Sequence, residues 1–217
     1  MISSQIKKIE ILDLGKRSYQ EVWDLQKEMQ ANRIAGKIED TLILVEHEPV
    51  YTLGKNADQN HLLQKRNESV NIYQIERGGD ITYHGPGQLV GYPILDLSNY
   101  KKSISWYMRT LEQIIIDTLS DFKIHAQRNE GLTGVWVGEE KIAALGVRVS
   151  RWVTMHGFSL NVNPDLSFYD GIIPCGIFEH GVTSMENMLK RSIKMAQVKI
   201  KLIKFFNHHL QKEKKYA

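Results

Sequence analysis

One cysteine in 217 residues, Cys175, leaves nothing for an intramolecular disulfide to pair with. Nowhere does the chain approach the roughly 18 consecutive apolar residues of a membrane-spanning helix, and no apolar run of signal-peptide length opens it. These absences point to a cytoplasmic protein with no membrane association. The eight histidines include no H-x-x-x-H pair, and Cys175 with His180 is the one close Cys/His pair. Two candidate ligands do not make a zinc site, so no metal is expected. The phosphate-binding patterns G-x-x-x-x-G-K-S/T and G-x-G-x-x-G are also missing, which leaves a nucleotide without a recognisable cradle.

Net charge is only +3, but it is unevenly spread. From residue 190 to the end there are nine Lys and Arg against one acid, Glu213, which leaves 19 basic and 24 acidic residues before it. Such a basic segment either steers an acidic partner, protein or nucleic acid, or forms the solvated face of a helix. No nucleic-acid-binding motif accompanies it, so nucleic acid is not an expected partner. A hydrophobic content of 42% and a charged content of 24% are ordinary for a globular chain with a substantial core. Without repeats, low-complexity tracts or linkers, residues 1–217 are expected to form one domain.

Periodicity sketches the elements. Strands are expected over 5–14, 41–46, 50–53, 70–76, 89–97, 132–137, 141–150 and 153–162, with Pro93 suggesting an edge strand or a bulge. Ser18 is placed to cap a helix over 19–37, and a short helix is expected over 60–66. Behind Ser103, the residues Ile104, Met108, Leu111, Ile115, Leu119 and Phe122 form one apolar stripe at helical spacing. A final amphipathic helix is expected over 193–210. Strands in hairpin-like succession outnumber helices. This predicts an α/β (α+β) fold with a mixed, largely antiparallel sheet and packed helices.

Two stretches carry chemistry. RGGDITYHGPGQ, residues 77–88, packs glycines, Arg77, Asp80, Tyr83 and His84 between two apolar runs. Glycine lets a ligand approach the main chain, so the strip reads as a binding wall or as a glycine-rich connection. Cys175 stands between Pro174 and Gly176, neighbours that a merely packed thiol would not need. A nucleophilic cysteine needs a nearby cation or base. Lys141, opening the apolar run KIAALGV, is one candidate, and His84 and His156, each followed by glycine, are the others. The residues alone do not choose between them.

Taken together, RGGDITYHGPGQLVGYP (77–93), KIAALGVRVSRWVTMHGFSLNVNPDL (141–166) and GIIPCG with VTS (171–176, 182–184) resemble the octanoyltransferase family of lipoate biosynthesis. The resemblance covers residues 10–190 and implies the fold of the biotin/lipoate protein ligase catalytic domain. It implies a transferase that moves an octanoyl group from octanoyl-acyl carrier protein to a lysine of lipoyl domains, those of 2-oxoacid dehydrogenases and of the glycine cleavage H protein. Neither cofactor nor metal is implied, because the donor thioester is already activated. Cys175 matches the acyl-thioester nucleophile of the family, and Lys141 the lysine that lowers its pKa. The acyl pocket would be lined by Arg77, Gly78, Gly79, Asp80, Ile81, Thr82, Tyr83 and His84, by Ala144, Leu145 and Gly146, and by Gly157, Phe158 and Ser159. Ser159 departs from the commoner alanine. The competing readings are an ATP-dependent lipoate or biotin ligase, a cysteine-dependent thioesterase and a non-enzymatic binding module.

Overall fold

The computed structural model describes residues 9–173 and 181–213. Eight strands form one sheet: β1 (Glu10–Arg17), β2 (Thr41–His47), β6 (Gln88–Ile94), β7 (Gln127–Asn129), β8 (Leu132–Val137), β9 (Glu140–Ser150), β10 (Val153–Asn161) and β11 (Gly181–Val182). Their order is β1-β2-β6-β10-β9-β8-β7, with β11 alongside the start of β9. A second sheet joins β4 (Asn71–Gln74), β3 (Val50–Leu53) and β5 (Ile81–His84). Pairing is parallel for β1–β2, β3–β4 and β9–β11 and antiparallel elsewhere, so the expected mixed and largely antiparallel sheet is present.

Four helices flank it: α1 (Tyr19–Ile34), α2 (Ile104–Asp121), α3 (Met185–Leu189) and α4 (Met195–Glu213). Each of the first three starts at a serine whose hydroxyl accepts a backbone N–H of the first turn: Ser18 from Glu21, Ser103 from Trp106 and Ser184 from Asn187. Helix α1 covers one face through Val22, packed on Ile43, Val45, Val90 and Tyr92. Helices α2 and α4 bury the other face, where Leu111, Ile115, Val198 and Phe206 meet Leu42, Leu89, Ile142, Phe158 and Leu160. Burial on this scale is the main stabilising contribution to such a fold. Among the described residues no helix is long and apolar enough to cross a membrane.

Several expectations need correction. Pro93 lies in β6, a central strand between β2 and β10. It is tolerated because the β6–β10 pairing stops at Gly91–Phe158, so no ladder bond is asked of its missing N–H there. Residues 60–66 form only a 3-10 turn, Gln59–His61. Ile104, read as part of the buried stripe of α2, is 49% exposed, while Tyr107 and Ile114 are buried instead. The basic face of α4 is partly neutralised within the chain: Lys199 pairs with Asp13 at 2.7 Å, and Lys201 and Lys204 lie 2.8 and 3.7 Å from Asp121.

Glu112 is the one charge in the buried stripe of α2. Its Oε1 accepts the Gly134 N–H at 3.2 Å, and its Oε2 accepts Arg109 Nη1 at 2.8 Å and Arg128 Nε at 2.9 Å. One carboxylate thus fastens α2 to β7 and β8. Glu112→Ala is expected to lower unfolding stability in urea by about 2–3 kcal/mol, because a buried N–H and two guanidinium groups lose their acceptor. Glu112→Gln should recover part of the loss by still accepting from Gly134.

Candidate active site

The β9–β10 register places Ala144 opposite Ser159 and Gly146 opposite Gly157, so one stretch of the sheet carries almost no side chain. A pocket lies there. Its walls come from Ala144, Leu145 and Gly146 of β9, from 156–159 of β10, from Val90 and Tyr92 of β6, from Tyr19 of α1, and from Arg77 and the 79–82 and His84 positions. Twelve of the fourteen residues expected to bind substrate are therefore brought together. Two are not. The Tyr83 ring turns into the cluster beneath the small sheet, stacked on Phe168 at 4.8 Å, as alternation along β5 requires. Gly78 faces a neighbouring cavity, and its N–H donates to Val147 O at 3.1 Å. That bond occupies a donor that an oxyanion hole would need.

Glycine is required where the 77–80 strip crosses β9. A Cβ on Gly146 would stand 2.8 Å from Gly78 O and 3.0 Å from Arg77 Cδ, and Gly79 has φ +89°. Arg77 and Asp80 brace this crossing. Arg77 Nη2 donates to Thr52 O at 2.7 Å and to Thr52 Oγ1 at 2.9 Å, tying the strip to β3. The Asp80 carboxylate accepts the Asp58 N–H at 3.2 Å and pairs with His61.

Three buried histidines stand around the pocket. His84 Nδ1 lies 2.7 Å from Gln88 Oε1, and the Gln88 amide nitrogen donates to Tyr83 O, Asn161 Oδ1 and Tyr169. Gln88 Oε1 is thus the acceptor, so His84 carries its proton on Nδ1 and its Nε2 is a lone pair. His47 Nδ1 is 3.1 Å from the Arg17 carbonyl, so its Nε2 accepts the Tyr92 hydroxyl at 2.8 Å. His156 has φ +60°, a left-handed conformation in mid-strand, and its N–H donates to Gln26 Oε1 at 3.0 Å. Its strand partner Val147 packs on the α2 side, whereas its Nε2 is 3.9 Å from Glu76, which also accepts from Trp23 of α1. The left-handed turn accounts for that change of face. Among the described residues its buried Nε2 has no hydrogen-bond partner.

All three rings are held neutral. Burial pushes His47 down to about 4. Burial, then repulsion from His47, takes His84 to about 3, and burial with Arg77 and Arg148 nearby takes His156 to about 3. None is suited to accept a proton near pH 7, which separates them from the general bases weighed in the sequence.

Lys141 is the second residue of β9 and is only 6% exposed. Its Nζ sits 4.8 Å from the centre of the Trp136 ring, and its Cε fills the space that a side chain on Gly134 would occupy. It lines a wider cavity with Asn56, His61, Gly78, Ile104, Met108, Leu132 and Val147. This cavity and the pocket share Gly79, Asp80, Leu145 and Gly146 as their common wall. Cys175 lies outside the described residues. The chain leaves the described fold at Ile173, whose N–H donates to His61 O at 2.8 Å. It re-enters at Gly181, where β11 pairs Val182 with Lys141.

Residues 18–207 match the profile of the lipoyl protein ligase A/B catalytic domain family. Over 168 residues the chain is 54% identical to an octanoyltransferase of Gloeobacter violaceus, covering 77% of this chain and 75% of that protein. An octanoyltransferase of Flavobacterium johnsoniae is 46% identical over 228 residues, 95% of this chain and 98% of that one. The chain belongs to the octanoyltransferase family. It is an acyltransferase. A solved lipoate-protein ligase A bound with ATP superposes with a TM-score of 0.73 at 16% identity, covering 94% of this chain and 86% of that one. At that identity the likeness is one of fold alone.

Tyr19, Val90 and Tyr92 line the pocket without having been singled out in the sequence. Val90 and Tyr92 fall within the 77–93 motif, and alternation from Gln88 along β6 marks them as one face.

The histidines also set a pH dependence. Each native pKa lies below the unfolded value of about 6.5, so between the two the unfolded chain binds more protons, and stability falls as pH is lowered. Urea unfolding is expected to show this loss setting in below about pH 6.5, with each ring contributing up to about 1.4 kcal/mol per pH unit down to its native pKa. In His84→Gln the slope should be shallower.

Proposed function

We propose that the chain transfers an octanoyl group from octanoyl-acyl carrier protein to a lysine of lipoyl domains through a thioester on Cys175. The supporting observation is the side-by-side placement of the two cavities. A trough with small residues along its floor and the wider space lined by buried Lys141 share Gly79, Asp80, Leu145 and Gly146 in their linings. The acyl chain occupies the trough, and the donor arm and then the acceptor lysine approach from the Lys141 side. Acceptors are the lipoyl domains of 2-oxoacid dehydrogenases and the glycine cleavage H protein, and the setting is cytoplasmic.

Two steps balance without a co-reactant. The Cys175 thiolate attacks the thioester carbonyl, a new C–S bond forms, the old one breaks, and the pantetheine sulfur leaves and takes up a proton. The acceptor amine then attacks the acyl-enzyme. A C–N bond forms, the C–S bond to Cys175 breaks, and the proton lost from nitrogen passes through Lys141. A cation within about 4–6 Å lowers a thiol pKa, which is the role assigned to Lys141. Its stem is held by Gly134 and Trp136, a placement in keeping with that role.

Incubating the protein with octanoyl-carrier protein in the absence of ATP is expected to give an octanoyl adduct on Cys175, seen by intact mass and lost in Cys175→Ala. No adduct would sink the covalent route. An ATP requirement would indicate a ligase, and free octanoate without acceptor a thioesterase. In Lys141→Ala the pH profile of Cys175 alkylation should move upward by about 1–3 units. An unmoved profile would place thiol activation elsewhere.

A further inference from the structure

Resting on the acyl-transfer reading above, we propose that Val90 and Tyr92 of β6 are the stop that sets acyl-chain length. The strand register carries this. Ala144 on β9 pairs with Ser159 on β10, Ser159 pairs with Val90 on β6, and Val90 pairs with Val45 on β2. Small side chains on the first two strands give way to a wall on the third. Beside this row, Gly146 pairs with Gly157 on β9 and β10, while Tyr92 stands on β6 opposite Ile43 of β2. Val90, Tyr92, Ile43 and Val45 all belong to the cluster that α1 covers through Val22, so beyond β6 the space is filled.

The trough therefore runs across the strands, with its reacting end at β9, next to the Lys141 cavity, and its closed end at β6. From β9 to β6 is two interstrand spacings, roughly 10 Å. An extended eight-carbon chain, seven C–C bonds in zigzag, spans roughly 9 Å. Two more carbons would have to enter the Tyr92 ring or the α1 interface.

The stop is fixed rather than yielding. The Tyr92 hydroxyl donates to His47 Nε2 at 2.8 Å, and His47 is in turn held by the Arg17 carbonyl. The His47 ring lies 5.8 Å from Tyr92, 6.1 Å from His84 and 5.1 Å from Tyr19, so four buried rings close that end. Interior side chains packed in this way do not move aside for an added methylene without cost.

The test is the ratio of transfer rates for hexanoyl, octanoyl, decanoyl and dodecanoyl thioesters of the carrier protein. Tyr92→Ala and Val90→Ala are expected to raise the decanoyl-to-octanoyl ratio about tenfold or more, the usual discrimination per methylene in an apolar pocket. Tyr92→Phe keeps the ring, and with it the wild-type ratio. Ala144→Leu, which fills the trough midway, should raise the hexanoyl-to-octanoyl ratio to a similar extent. General damage would slow all four chains alike, so unmoved ratios in the Ala and Leu variants would overturn the stop while leaving the transferase intact. A wild type that transfers no chain at all would overturn the transferase reading and the stop with it.

Discussion

Where the glycine-rich strip crosses β9, the Gly78 N–H reaches the Val147 carbonyl and Gly146 offers no side chain to keep the two backbones apart. Much of the site depends on that crossing. It makes one wall serve two cavities, the trough on one side and the Lys141 space on the other. Arg77 and Asp80 hold the strip in place by bonding to β3 and to the 58–61 turn. Their polarity, which reads in the sequence as substrate chemistry, is largely used to keep a loop rigid. Rigid support of this kind is what lets a loop carry a site.

The distribution of polar groups follows from the same arrangement. A histidine buried at the edge of a largely apolar pocket must stay neutral and hydrogen-bonded. His84 and His47 meet this requirement through Gln88, the Arg17 carbonyl and Tyr92. His156 meets it only through its backbone, in a left-handed conformation with Nε2 unpartnered among the described residues. Lys141, by contrast, rests against an aromatic ring beside the larger cavity. Neutral rings stand around the pocket, and Lys141 stands across the shared wall.

Much of this was legible in the residues. Ser18 and Ser103 mark helix starts because a hydroxyl before an amphipathic run has one local use, and the structure places both as caps. The glycine-rich strip stands out by residue type, the Ala144–Gly146 and Gly157–Ser159 stretches only through the family resemblance, and all three line one pocket. What escaped depends on partners distant in sequence. Pro93 suggests an edge until the early end of the β6–β10 pairing is known. Ile104 belongs to the helical stripe by spacing, yet it faces the open cavity beside Lys141 and stays half exposed. Val90 and Tyr92 look like any strand core until the register sets them at the end of a row of small residues. Periodicity reports which face a residue is on, and only register reports what lies beside it.

Tyr92 is anchored through His47 to the backbone of β1, an edge strand of the sheet, while Lys141 stands on β9 beside the neighbouring cavity, with β10 between β6 and β9. Under the proposed assignment the closed end and the reacting end therefore rest on different strands. Substitutions around β1, β2 and β6 would then reshape the closed end without touching Lys141, and changes at such separated positions tend to combine additively. A fold divided in this way can drift in the acyl chain it accepts while its chemistry stays under separate selection, a modular route to new donors on an unchanged reaction.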